Sequence, residues 1–346
     1  MRVVRWTVAA AVLALTACAA PTEATPQVRT SSAAVAAPPV SRYQFGIDLD
    51  FYWHQGQDVT SLVTAEAGYA RRLGANSVLI AFPFYTNGRT AAAGAATPPV
   101  SALREAIAAV RSEGLTVGVR PLLNEANLGV SSRTRFLPGD VKAWLGSYQA
   151  LIVPYARGAQ EAGAARFYTG VELSKFSHAP AWQQVDAAVR TVFKGKLYFS
   201  ANWATSEDTE LLAGSGGPGV TVAVDAYQGM SVPVSDFTAD WTAKAGALPQ
   251  GTVMSEVGIA ALSGAQRKPY ATGSTKAPLD PQLQAAWFAA ACDAVRTDHL
   301  GGIYFWSVYV GQPLNVPPTQ RTPAQYTDSA GAAAIKTCFT GLEAAR

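Results

Sequence analysis

An alternation of short apolar runs and helical segments constrains this chain more than any other feature. Runs at 44–50, 76–84, 115–123, 166–172, 196–202, 219–227, 251–257 and 300–308 read as strands. Segments with helical spacing follow them at 58–73, 100–113, 138–163, 180–193, 205–213, 234–246, 280–297 and 325–341. Strands that are apolar on both faces and separated by helices belong in a parallel sheet covered by those helices. Eight such repeats in about 300 residues are the count and size of a (β/α)8 TIM barrel, so the expected fold is α/β, one barrel domain over residues 43–346. A doubly wound open sheet uses the same alternation, because strand order is not written in a single sequence. Asp58, Ser101 and Pro138-Gly139-Asp140 stand where helices should begin. Gly74, Gly114, Gly163 and Gly195 stand just past predicted helix ends, as helix-stop glycines. The fifth helix is short and runs into the glycine-rich 214–219.

The N-terminus has a separate character. Arg2 and Arg5 precede an apolar run from Trp6 to Leu15, the charge order of a secretory leader. The run is shorter than the roughly 20 residues that span a bilayer. Leu15-Thr16-Ala17-Cys18 then resembles the lipobox of bacterial lipoproteins, in which the cysteine takes a diacylglycerol and becomes the new terminus. That resemblance implies lipidation at Cys18 and anchoring to the outer face of a bacterial cell membrane; an ordinary leader with an incidental cysteine is the alternative. Residues 19–42 are almost all Ala, Pro, Thr, Ser and Val and read as a flexible tether. Export permits a disulfide, and Cys292 and Cys338, each on a late helix, could be bridged or could be two buried thiols. The formal net charge of +3 includes the leader arginines, and no basic run appears, so a nucleic-acid partner is not expected.

Chemistry is suggested by two strand ends. Glu172 closes Phe167-Tyr168-Thr169-Gly170-Val171, and Glu256 lies near the end of Thr252-Val253-Met254-Ser255-Glu256-Val257. A carboxylate at the tip of an apolar strand is paired, hydrogen-bonded or used in a reaction. Two of them facing one substrate are the minimal equipment for cleaving a glycosidic bond. Competing motifs fail. The stretch Gly214-Ser215-Gly216-Gly217-Pro218-Gly219 has the spacing of a dinucleotide fingerprint, but it precedes a strand and contains a proline. No G-x-S-x-G elbow or phosphate-cradling loop is present. Three widely spaced histidines, His54, His178 and His299, argue against a catalytic metal, and no cofactor is expected.

In a (β/α)8 barrel the reactive groups sit at the carboxyl ends of the strands, which puts Glu172 on the fourth strand and Glu256 on the seventh. Here the chain resembles the retaining glycoside hydrolases of clan A. The elements that carry the likeness are Gly170-Val171-Glu172-Leu173, Ser255-Glu256-Val257-Gly258 and Gly302-Ile303-Tyr304-Phe305-Trp306-Ser307. Within the clan it is most similar to the family 113 β-mannanases, which share Gly-x-Glu-Leu on strand four. The resemblance implies Glu172 as acid/base and Glu256 as nucleophile. It also exposes a departure: most clan members carry Asn before the acid/base, where it holds the sugar 2-hydroxyl, and this chain carries Val171. Asn202 or Asn124 could replace that contact. Tyr227 could donate to Glu256, and Trp306, Trp203, Trp53 and Tyr85 could stack on sugar rings. Asp50, with Glu125 or Arg120, could meet hydroxyls, with salt bridging the stronger reading for Arg120.

The expected activity is therefore that of a retaining glycosidase on a β-linked poly- or oligosaccharide, by a monomer that touches the membrane only through its lipid. A catalytically silent carbohydrate-binding lipoprotein and a cell-envelope transglycosylase are the alternatives.

Overall fold

The computed structural model describes residues 43–125, 128–130, 132–203, 219–271, 277–315 and 325–344. The leader, Cys18, the tether and the helix expected at 205–213 lie outside them. Eight parallel strands form the barrel: β1 (Gln44–Asp50), β2 (Ser77–Thr86), β3 (Thr116–Leu123), β4 (Arg166–Val171), β5 (Lys196–Asn202), β6 (Val220–Asp225), β7 (Val253–Val257) and β8 (Gly302–Tyr309). Each pairs in parallel with the next, and β8 pairs with β1, so the sheet closes. This closure excludes the open sheet. A two-residue strand, Ala91–Ala92, folds back on the end of β2.

The described helices are α1 (Val59–Leu73), α2 (Val100–Ser112), α3 (Val141–Glu161), α4 (Trp182–Val192), α5 (Phe237–Ala245), α6 (Pro281–Thr297) and α7 (Ala330–Ala344). Asp58, Asp140 and Asp280 cap α1, α3 and α6 by accepting backbone N–H bonds at 2.9–3.0 Å. Ser101 does not act in this way. Helix α2 begins one residue earlier, behind Pro99, without a side-chain cap. Gly74 ends α1 at φ 93°, which only glycine adopts without strain. Gly195 has another reason to be glycine: a Cβ there would lie 2.5 Å from the Ala165 carbonyl oxygen.

Most apolar side chains fill the shell between barrel and helices. Inside the barrel a small cluster contains Leu79, Leu122, Val171 and the rings of Tyr168, Tyr198 and Tyr304. At its lower end Gln44 donates to the Tyr198 hydroxyl at 2.8 Å and accepts from Tyr304 at 3.1 Å. Above these tyrosines the interior becomes charged. Between α6 and α7, Cys292 and Cys338 are joined in a disulfide with Cα atoms 5.7 Å apart. Among the described residues no helix is long and apolar enough to cross a membrane.

Candidate active site

Arg120 of β3 is fully buried at the centre of the upper barrel. Its Nη2 donates to both oxygens of Asp225, at 2.9 and 3.1 Å, and lies 2.8 Å from Glu256 Oε1. Its Nη1 donates to the Ser255 carbonyl at 2.9 Å and stands 3.6 Å from Asp48. One guanidinium thus faces three carboxyl groups. Burial favours loss of the guanidinium proton, but Asp225, Glu256 and Asp48 outweigh it and raise the pKa. Asp225 also accepts from the Ser200 and Ser255 hydroxyls at 2.7 and 2.9 Å. The Tyr168 ring lies 5.3 Å beneath the guanidinium, a cation–π contact.

Local backbone irregularities aim the two glutamates. In a regular strand Ser255 and Glu256 would point to opposite faces. A register irregularity between Met254 and Val257 breaks the alternation. Ser255 therefore reaches Asp225 while Glu256 reaches Arg120, the re-aiming that a β-bulge provides. On β4, Val171 belongs to the barrel interior, so the next side chain would turn outward. Glu172 instead has φ 51°, a left-handed backbone that is costly for a residue with a side chain. Its Oε1 accepts from Asn202 Nδ2 at 2.5 Å, and its Oε2 from Arg133 Nη1 at 3.3 Å.

The carboxyl groups are electrostatically coupled. Burial is the largest effect on Glu172 and pushes it up to about 7, against Arg133 and the Asn202 hydrogen bond. Glu256 is also raised, by burial and then by the Asp225 charge; Arg120 opposes this, and Glu172 adds to it. Glu172 and Glu256 are thus within electrostatic reach of each other. The Tyr227 hydroxyl feels both and is hydrogen-bonded to Glu256, and burial, first, keeps its proton in place. Burial raises Asp50 to about 7, opposed by Arg133 and Arg120.

Of the residues singled out in the sequence, Glu172, Glu256, Tyr227, Asn202 and Asp50 share this electrostatic environment. Trp306 joins them through Gly258, where a Cβ would lie 2.9 Å from the Tyr227 hydroxyl and 3.4 Å from Trp306 Cβ. Asn124 stands further out and donates to the Tyr52 hydroxyl at 3.2 Å. Tyr85 lays its ring over Gly94, and Trp53 leans on the outer core. Trp203 is a correction. Its ring packs 5.8 Å from Trp241 of α5 in the outer shell and is 7 % exposed, which leaves little face for a sugar. Arg120, with no exposed surface, serves in ion pairs and not in hydroxyl contacts. Asp48, Ser200, Ser255 and Arg133 were missed. Asp48 alone had a visible signal, since it shares a strand face with Asp50.

Comparison with known proteins bears on this arrangement. A model of Glycoside Hydrolase Family 113 matches residues 89–312. No curated protein sequence matches. A GH113 β-1,4-mannanase structure superposes with a TM-score of 0.72 at 16 % identity, covering 86 % of this chain and 99 % of that one. The GH113 β-mannanase AaManA from Alicyclobacillus acidocaldarius, solved with ManMIm, gives 0.72 at 18 %, covering 87 % and 98 %. A GH5-4 broad-specificity endoglucanase from an uncultured bacterium gives 0.54 at 10 %, covering 86 % and 94 %. At such identities the superpositions speak for the fold, while the family match spans the strands that bear Glu172 and Glu256. This chain is a glycosidase and belongs to Glycoside Hydrolase Family 113.

Proposed function

We propose that this protein is a retaining glycosidase of β-linked glycans, with Glu172 as acid/base and Glu256 as nucleophile. The observation that carries the reading is a pair of buried carboxyl groups at the ends of two barrel strands with different partners, Glu172 on Asn202 and Arg133 and Glu256 on Arg120. Glu256 lies against Arg120 and accepts from Tyr227, both of which favour its anion. The Glu172 charge is one cause of the raised Glu256 pKa. Repulsion between the two groups favours a state in which only one of them is ionised, and the first step needs that charge on Glu256 and the proton on Glu172.

In that step Glu172 gives its proton to the glycosidic oxygen as Glu256 attacks the anomeric carbon and the C–O bond to the leaving sugar breaks. Water then loses a proton to Glu172 and displaces Glu256, so the configuration is retained. Asn202, bound to Glu172, takes the place of the missing asparagine at position 171. Because the structural relatives include β-1,4-mannanases, β-mannan is the substrate to test first. Export with a lipid on Cys18 belongs to the same proposal, and mass spectrometry of the mature terminus tests it.

Glu172→Gln and Glu256→Gln should each lower turnover on β-mannan by orders of magnitude with melting temperature preserved. NMR of the first product formed should show the β-anomer. Full activity in both variants, or an α-anomer formed first, refutes the assignment.

A further inference from the structure

Among the described residues, Arg133 is the one that touches Glu172, comes from a loop and carries a charge. It opens a single 3-10 turn, Arg133–Arg135, between β3 and α3. Its own N–H donates to Glu125 Oε1 at 2.8 Å, and its Nε stands 3.5 Å from that oxygen. Its Nη1 reaches Glu172 at 3.3 Å. The side chain is 14 % exposed, so these pairs are not surface decoration. Other groups crowd the same space: Asp50 on β1, Asn202 on β5, Asp225 on β6, Tyr227 after it, and Glu256 on β7. Burial works against the guanidinium charge, but Glu172, Glu125, Glu256 and Asp225 restore it, Glu172 most strongly.

The two segments that carry this pair share one aromatic foundation. Phe136, close behind Arg133, is buried with its ring 5.7 Å from Trp144 of α3 and 6.1 Å from Phe176. Phe176 lies in the turn Ser174–Phe176, just after Glu172, and packs on Trp144 and Trp182 at 5.3 and 6.2 Å. Trp182 Nε1 also donates to the Phe176 carbonyl at 2.8 Å. The loop and the acid/base strand end are therefore held to the same packed rings, which fixes the cation relative to the carboxyl group.

We propose that Arg133 is a positioning residue for the acid/base, shared between Glu125 and Glu172, that orients the Glu172 carboxyl and stabilises its charge while the proton is away. The inference rests on the reading of Glu172 as acid/base. When the proton passes from Glu172 to the leaving oxygen, the pair with Arg133 tightens. When water returns a proton, the guanidinium relaxes toward Glu125. Glu125 thus limits how strongly the cation holds the carboxylate.

Two substitutions test this with opposite signs in the pH profile of kcat/KM. Arg133→Met removes the cation, favours protonated Glu172, and should move the basic limb up by about one pH unit or more. Glu125→Gln removes a carboxylate that raises Glu172 and leaves Arg133 undivided, so the basic limb should move down. Arg133→Lys keeps the charge and should bring the limb back toward the wild-type position. It also keeps the test available, with Glu125→Gln, if the methionine variant melts early. Limbs that stay in place, or move in the same direction, overturn the proposal. An active Glu172→Gln variant would instead overturn the underlying acid/base reading, and the two failures are distinct.

Discussion

Glu66 of α1 offers a clean measurement away from Glu172 and Glu256. It is 2 % exposed; Oε1 accepts from the Gly311 N–H at 2.6 Å, and the buried Oε2 has no hydrogen-bond partner among the described residues. Burial raises its pKa from 4.5 to about 8, opposed by the Gly311 bond. The folded value lies above the unfolded one, so the native state binds more protons between those two pH values. The resulting stability is fully present below about pH 4.5 and is lost as pH rises through 8. At about 1.4 kcal/mol per pH unit per proton, the loss between pH 5 and pH 8 is about 3 kcal/mol. Glu66→Gln cannot titrate. Its amide nitrogen would inherit the unpartnered position at a cost of about 1–3 kcal/mol, but this cost does not change with pH. Denaturant unfolding of both proteins from pH 5 to pH 8 should show the variant gaining about 3 kcal/mol on the wild type across the series. A difference that stays flat within about 1 kcal/mol, the precision of such comparisons, would refute the reasoning.

Arg120→Met should destabilise the protein by about 3–5 kcal/mol near neutral pH, because Asp48, Asp225 and Glu256 lose their shared cation. That deficit should shrink in acid as Asp48 and Glu256, both raised by burial, take protons, a trend that denaturation at two pH values will reveal. Replacing both Cys292 and Cys338 by serine opens a loop spanning 46 residues and should cost about 4 kcal/mol by loop-closure entropy. Reductant should lower the wild-type melting temperature and leave that of the double variant unchanged.

The barrel was legible because most of the described strands and helices announce themselves locally, through buried β-branched runs, aspartate caps and left-handed glycines. Glu172 and Glu256 were legible as well, since a charge that ends an apolar run is visible without knowledge of its partners. The network behind them was not. Arg120 meets Asp48 on β1, Asp225 on β6 and Glu256 on β7, and no periodicity along β3 reveals which strands lie across a lumen. Strand alternation would even have denied it, for it sends Ser255 and Glu256 apart until the irregularity of β7 is known. Trp203 failed for a related reason: proximity to a strand end says little about which shell a ring enters. Arg133 lies on a loop, where neither period applies.

The placement of Arg120 has a practical consequence for anyone redesigning this cleft. Its ion pairs close the middle of the barrel and also seat Glu256, so there is no inert plug behind the catalytic floor to absorb variation. Libraries that randomise Asp48, Arg120 or Asp225 will mix loss of expression with loss of rate. Those aimed at outer positions such as Tyr52, which is 39 % exposed, can alter glycan preference while sparing the scaffold.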